Sequence, residues 1–322
     1  MTDPNPFKPV DPLGEALHFL RVSGMFYSRC ELTAPWALAL PSFKGSMMFH
    51  VVTAGRCRVE VDKANVCMLG PGDLALVPHA QGHRLVSEPG VPAARLFSLP
   101  RELVSDRFEI LRHGGGGAAT TVICGVVRVD HPAAHHLIRL LPKVISFNAR
   151  NSPETEWIES TLRFMAAEAS EMRPGGEAVI TRLADILVIQ AIRFWIARDP
   201  AAQAGWLSAL RDEQIGKAIA LIHRDPGRNW TLAALASTVG MSRSVFAARF
   251  TELVGEPAMR YATRWKMHAA HLLLSQGDVP LRKLAAKLGY DSRAAFSRAF
   301  KRFNGVSPDA ARRRMLSLYE PK

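Results

Sequence analysis

The chain has 322 residues, 48% apolar and 22% charged, and it contains no apolar run of about 18 residues that would cross a bilayer. That length allows two domains of ordinary size, each with its own core. The formal net charge of +12 is unevenly placed: residues 211–322 carry 20 Lys+Arg against 9 Asp+Glu, or +11, and residues 1–210 carry the remaining 21 against 20, or +1.

A basic segment attached to a neutral one predicts a polyanion-binding module joined to a module of another kind; a basic surface kept for solubility is the plainer alternative. The N-terminal stretch MTDPNPFKPVDPLGEAL has no basic-then-apolar leader, so the cytoplasm is the expected location. Cys30, Cys57, Cys67 and Cys124 are too few and too scattered for a disulfide scaffold, and none forms a CxxC pattern.

DPLGEALHFLRV (11–22) predicts a short helix, with Asp11 as N-cap and Pro12 in its first position. From Tyr27 to about Val129 the texture changes to short alternating or β-branched runs: WALAL, MMFHVVTAG, CRVEVDKANVCMLGPGD, LALVPHAQGHRL, ARLFSL and TTVICGVVRV. Strands at this spacing, separated by PGD and glycine turns, predict a β-sandwich or small barrel.

After His131 the period becomes helical. HHLIRLLPKVISF predicts a short helix interrupted by Pro142, and two long helices follow around the turn RPGG. The second carries Ile180, Leu183, Ile186, Leu187, Ile189, Ile192, Phe194 and Trp195 around much of its circumference. Such a helix needs cover on more than one side, from its own chain and from a homodimer partner. DPAAQAGWLSAL (199–210) reads as a linker.

The basic segment contains an internal repeat. WTLAALASTVGMSRSVFAARFTELVGEPAMRY (230–261) aligns with VPLRKLAAKLGYDSRAAFSRAFKRFNGVSPDAAR (279–312). Leu232, Leu235, Ala236, Gly240, Phe246, Phe250, Gly255 and Pro257 match Leu281, Leu284, Ala285, Gly289, Phe296, Phe300, Gly305 and Pro308. Each copy predicts helix, tight turn, helix. Gly240 and Gly289 fall where the first helix must end in a left-handed turn, and Ser242 and Asp291 or Ser292 can cap the next. This is helix-turn-helix architecture, whose second helix enters the DNA major groove. The run between the copies, AMRYATRWKMHAAHLLLSQ, predicts a helix long enough to set two reading helices in successive major-groove faces.

These residues, down to GYDSRAAFSRAFKRFNGVSPDAAR, resemble the AraC/XylS transcription regulators. The run RCELTAPWALALP…FHVVTAGRCRVEV…LGPGDLALVPHAQGHRL…TTVICGV is similar to the cupin-type sensory domain of one subgroup. The resemblance implies an α+β chain: a cupin-like sensory β-barrel (1–130), a helical coupling and dimerisation segment (131–210), and an all-α DNA-binding domain with two helix-turn-helix units (211–322). It also implies double-stranded promoter DNA, RNA polymerase, a homodimer and an unknown effector as partners. The exposed faces of the second helices would read bases: Ser244, Ala247 and Ala248 flanked by Arg243 and Arg249, then Arg293, Ala294, Ser297 and Arg298. Alanine can touch a thymine methyl but makes no bidentate bond, whereas Arg293 or Arg298 can pair with guanine. Lys301, Arg302 and Arg312–Arg314 either hold phosphate or are solvated.

A metal-dependent cupin enzyme fused to a DNA-binding domain is the rival reading. Cupin enzymes hold their metal with an HxH followed by a Glu, and a later His. Here the first motif is reduced to His50, with Val52 in the second position and no Glu at the right distance, while His83 is kept. The expectation is therefore a sensor and not a catalyst. Cys30, before the first barrel strands, and Cys124, on the same strand face as Val122, can join His50 and His83 inside the barrel. Two thiols and two imidazoles suit a soft transition metal such as zinc, or an oxidant; alternatively each is a core residue with a satisfied hydrogen bond. His79 reads as a solvent-exposed turn residue, and Cys57 and Cys67 as packing.

Overall fold

The computed structural model describes residues 14, 22–129, 134–147, 156–171, 174–203, 205–275 and 279–316. They fall into two compact units, one of residues 22–129, 136–147, 156–171 and 174–197 and the other of residues 14, 134–135 and those from 198 onward. Apart from Gly14, the helix expected at 11–22 lies outside the described residues but for Val22, which opens a strand.

The first unit holds twelve described strands: β1 (Val22–Thr33), β2 (Ala37–Leu40), β3 (Ser46–Ala54), β4 (Cys57–Glu60), β5 (Val66–Leu69), β6 (Leu74–Val77), β7 (His83–Val86), β8 (Ala94–Arg95), β9 (Arg101–Leu103), β10 (Phe108–Gly114), β11 (Ala119–Val129) and β12 (Ile145–Phe147). A seven-stranded sheet runs β12-β6-β3-β11-β1-β10-β9, and a five-stranded sheet runs β5-β4-β7-β2-β8. Alternation sends every second residue inward, so Cys30, Leu32, Met48, Val52, Val122 and Val126 of the larger sheet meet Leu38, Val59 and Leu85 of the smaller in one core. Each such large side chain contributes about 1.5–3 kcal/mol when fully buried.

Strand β11 is the hub, paired with β1 on one side and β3 on the other. Its Gly125 allows the ring of Phe49 to lie against the strand, since a Cβ there would stand 2.3 Å from two ring carbons. Four strands, β1, β9, β10 and β12, lie outside the runs read as strands from the sequence. In β10 the charged Glu109 and Arg112 interrupt the apolar alternation, although Glu109 is buried and paired with Arg101 at 3.2 Å. The helical reading of HHLIRLLPKVISF holds only to Leu140; beyond Pro142, Ile145–Phe147 pairs with β6 as an edge strand.

Three helices follow: α1 (Ala134–Leu140), α2 (Glu156–Glu171) and α3 (Gly176–Arg198). Helix α3 buries Ile180, Leu187, Ile192 and Trp195, while Ile186 and Val179 remain 44% and 42% exposed. Phe164 of α2 is 67% exposed.

The second unit is helical: α4 (Gly205–Arg211), α5 (Glu213–Arg224), α6 (Leu232–Thr238), α7 (Arg243–Val254), α8 (Ala258–Ser275), α9 (Leu281–Lys287), α10 (Arg293–Asn304) and α11 (Pro308–Leu316). Most of the stretch read as a linker is structured, because α4 buries Trp206, Leu207 and Leu210 and packs against α7. The Tyr261 hydroxyl on α8 accepts the Trp206 indole N–H at 3.0 Å and lies 2.7 Å from His223 Nε2 on α5. Three helices are thereby tied at one buried oxygen.

Candidate functional site

The two predicted helix-turn-helix units are α6–α7 and α9–α10. Each turn has its glycine in the left-handed region, Gly240 at φ 69° and Gly289 at φ 72°. The second helices begin with serine caps: Ser242 Oγ accepts from Val245 N at 3.4 Å, and Ser292, not Asp291, accepts from Ala295 N at 3.1 Å. Phe246 and Phe250 are fully buried beneath α7, as are Phe296 and Phe300 beneath α10. One face of each second helix is thus anchored and the opposite face turns outward.

On α7, Arg243, Ser244, Ala248 and Arg249 are exposed and Ala247 is half-buried. On α10, Arg293, Ala294, Arg298, Lys301 and Arg302 are exposed and Ser297 is half-buried. Two of these arginines already hold partners within the chain. Arg249 pairs with Asp212 at 2.6 Å, and Arg293 lies 3.3 Å from Asp309. Asp212 is also the N-cap of α5, accepting from Gln214 N and Ile215 N, so the Arg249 pair links α7 to that helix start. Arg312 donates to the Val279 carbonyl at 2.6 Å, a structural role; Arg313 is exposed and the Arg314 side chain lies outside the described residues. Val245, which the sequence analysis does not single out, is 56% exposed on α7.

Within the barrel the four expected side chains do meet, as a chain. Cys30 Sγ stands 3.9 Å from Cys124 Sγ, Cys124 Sγ 3.1 Å from His50 Nδ1, and His50 Nε2 2.7 Å from His83 Nε2. His83 Nδ1 lies 3.0 Å from the Gln81 carbonyl, and Ser28 Oγ 3.5 Å from Cys30 Sγ. Cys30 does not precede the barrel strands; it sits within β1, diagonal to Cys124, because its register partner is Val122 while that of Cys124 is Ser28.

The proton positions follow from the acceptors. A carbonyl only accepts, so His83 carries its proton on Nδ1 and presents a lone pair at Nε2. His50 then donates from Nε2, and its Nδ1 accepts from the Cys124 thiol. Burial, and next the neighbouring His83, hold His50 well below the usual histidine value. Burial likewise lowers His83, against the opposing Gln81 bond. Both rings are neutral at pH 7. The contact between the two sulfurs lowers Cys30 below the usual thiol value despite burial, and that same contact with burial holds Cys124 well above it.

The cluster borders a cavity of about 30 Å³, lined by Ser28, Cys30, His50 and Cys124 on one side and by apolar groups including Phe43 and Phe97 on the other. Phe97 is 52% exposed and meets Phe43 edge-on at 6.1 Å. Sequence reasoning missed Ser28, Phe43 and Phe97; the first has a signal, since alternation places it on the Cys30 face.

The four heads follow one another as a chain of neighbouring pairs. Both His50 nitrogens are spent on Cys124 and His83, and among the described residues no three His, Cys, Asp or Glu side chains are grouped to hold an ion. The solvent-exposed reading of His79 is corrected too, since it is half-buried with Nε2 at 3.0 Å from the Leu141 carbonyl. Cys57 is fully buried and pushed up to about 12 by burial, and Cys67 to about 11.

Residues 11–197 match the family model described as Cupin, and residues 235–314 match the Helix-turn-helix domain model. A putative AraC-like transcription regulator of Streptomyces antibioticus is 31% identical over 304 residues, covering 93% of this chain and 97% of the relative. Another from Streptomyces lividans is 29% identical over 303 residues, with the same coverage. The RCS-specific HTH-type transcriptional activator RclR of Escherichia coli K12 is 25% identical over 310 residues, 96% of this chain and 99% of the relative. Anchored, capped reading helices in a basic unit and an N-terminal barrel agree with that kinship: the chain belongs to the AraC-like transcription regulators, with a cupin domain followed by a DNA-binding helix-turn-helix domain.

Proposed function

We propose that the cupin barrel is the sensory half of this regulator and that its state alters how the helix-turn-helix units engage double-stranded promoter DNA. The single observation that carries the reading is the Cys30–Cys124–His50–His83 chain, buried except for half-buried Cys124, beside a cavity in a barrel whose first cupin motif has Val52 where an enzyme would keep a histidine. A polar chain costs stability unless it is fully paired, and its presence in an apolar core favours a functional role over packing. The rival, a metal-dependent cupin enzyme, lacks a donor set among the described residues.

The working form is a cytoplasmic homodimer that contacts RNA polymerase. Residues 1–130 sense, 131–210 couple and dimerise, and 211–322 bind DNA. The exposed apolar groups Phe164, Val179 and Ile186 support the helical segment as the dimer contact. Base reading falls to Arg243, Ser244, Ala247, Ala248, Arg293, Ala294, Ser297 and Arg298, with Lys301 and Arg302 on phosphate; Arg249, committed to Asp212, positions α7. The effector acts by population shift, favouring one arrangement of the chain over another.

The test is DNA binding by the full-length chain and by His50→Gln and Cys124→Ser variants, measured by fluorescence anisotropy at several salt concentrations. Affinity should fall steeply with salt, with a slope of about −0.9 per neutralised phosphate. Barrel variants that change affinity while leaving the salt slope alone support sensing; variants identical to the parent under every condition contradict it.

A further inference from the structure

We propose that Gly227, Asn229 and Lys266 are positioning residues for DNA recognition: they brace the loop before α6 against the turn between α9 and α10, and so restrict the spacing of the two base blocks that one chain accepts. This rests on the reading above, in which both helix-turn-helix units engage one duplex.

The internal repeat shows that more than turn geometry acts on Gly289. Its counterpart Gly240 has the same left-handed backbone, at φ 69° against 72°, but a Cβ added to Gly240 would meet open space. At Gly289 that atom would stand 2.2 Å from the Gly227 carbonyl oxygen and 3.0 Å from Asn229 Oδ1. The approach is reciprocal, because a Cβ on Gly227 would stand 2.2 Å from the Lys287 carbonyl oxygen at the end of α9. Two backbones, one from the first unit and one from the second, thus meet with no room for a side chain between them. Lys266 of α8 closes this contact from the side. Its Nζ donates to Asn229 Oδ1 at 3.1 Å and lies 5.4 Å from the centre of the Tyr290 ring, so one ammonium holds a residue of each unit.

Both ends of the brace are tied to the helices that matter. Asp225 Oδ1 accepts from Arg228 N at 3.1 Å, and buried Trp230 donates its indole N–H to the Asp225 carbonyl at 3.2 Å, immediately before Thr231 caps α6. Tyr290 meets Phe296, the buried anchor of α10, edge-on at 5.6 Å.

Without the brace, α8 would be a single axial link. Its first half packs on the first unit, with Trp265 stacked on His223 at 3.4 Å, and its second half enters the core of the second unit through Met267, Ala270 and Leu274. A lone helix between two bodies resists bending and torsion only through its own backbone, and a second contact off its axis resists both. The difference is felt on DNA, where one added base pair moves the second block by about 3.4 Å and about 34°.

The experiment first selects the preferred duplex of the full-length parent from a random pool, then changes the separation of its base blocks by one or two base pairs either way. Fluorescence anisotropy reads the affinity of the parent, Gly227→Ala, Lys266→Met and Lys266→Arg for that series and for duplexes carrying either block alone. A change of one base pair should cost the parent at least about 10-fold, the scale of a mismatched pair. Gly227→Ala and Lys266→Met should reduce that penalty to about 3-fold or less, on the same scale, while the ratio of the two single-block affinities stays as in the parent. Lys266→Arg, which keeps the charge, should retain the parental spacing penalty. A penalty unchanged in Gly227→Ala and Lys266→Met overturns the proposal, however far their overall affinity falls, and Lys266→Met decides alone if Gly227→Ala does not fold. A parent that selects two blocks but tolerates every spacing equally overturns it too, and leaves the two-unit reading standing. A parent that selects a single block removes the two-unit reading and the brace with it.

Discussion

The Nε2 atoms of His50 and His83 stand 2.7 Å apart inside the barrel, sharing one proton between two neutral rings. Burial lowers both histidines below the unfolded value, so below about pH 6.5 the unfolded chain binds protons that the folded barrel refuses. Stability from these rings is complete above that pH and declines as pH falls toward the folded values, by up to about 1.4 kcal/mol per pH unit for each histidine. Thermal melts of the parent should therefore drop between pH 7.5 and pH 5.5, and His50→Gln should flatten the dependence. An unchanged slope in that variant removes the assignment.

Gly125 lies where an added Cβ would stand 2.3 Å from the buried Phe49 ring. Gly125→Ala should destabilise the barrel by about 1–3 kcal/mol through overpacking. The second substitution Phe49→Leu should restore part of the loss. Urea unfolding followed by a barrel-specific probe reads both, and additive losses in the double variant contradict the contact.

Tyr261 joins α4, α5 and α8 through Trp206 and His223. Replacing it with phenylalanine keeps the ring but leaves the buried indole N–H without its acceptor, costing about 1–3 kcal/mol. The loss should appear in the unfolding of residues 198 onward and not in the barrel transition. A neutral Tyr261→Phe variant contradicts the account of that junction.

Arg298 and Arg313 are both exposed, Arg298 on α10 of the second helix-turn-helix unit and Arg313 on α11, the helix that follows it. Arg298→Ala should relax discrimination at one or two base pairs, at about 1–3 kcal/mol for a lost bidentate contact. Arg313→Ala should weaken all sequences alike and reduce the salt slope by about 0.9. Competition binding against single-base operator variants separates the two, and identical specificity profiles for Arg298→Ala and the parent oppose the base-reading role.

The repeat, its glycine turns and its phenylalanine anchors were legible because helix-turn-helix geometry demands those residues at that spacing. Cap choice was only half legible, since Asp291 and Ser292 satisfy the same rule and only the backbone decides between them. Strand β10 was hidden because Glu109 is buried against Arg101 on the neighbouring strand β9, a cross-strand pairing that alternation within one strand cannot reveal. The inner face of β11 followed from alternation, but the order of the four polar heads did not. That order depends on register between β1, β11 and β3, which places Cys124 opposite Ser28 on one side and His50 on the other.

In the proposed function the two helix-turn-helix units of one chain read DNA together. Helix α8, 18 residues between them, spans about 27 Å at roughly 1.5 Å per residue. Selection of binding sites for the whole chain from a random duplex pool at physiological salt measures this. Two enriched base blocks are expected, with centres about 10–10.5 bp apart, and the Arg298→Ala variant should lose preference in only one block. A single enriched block, or no enrichment over the starting pool, would contradict it.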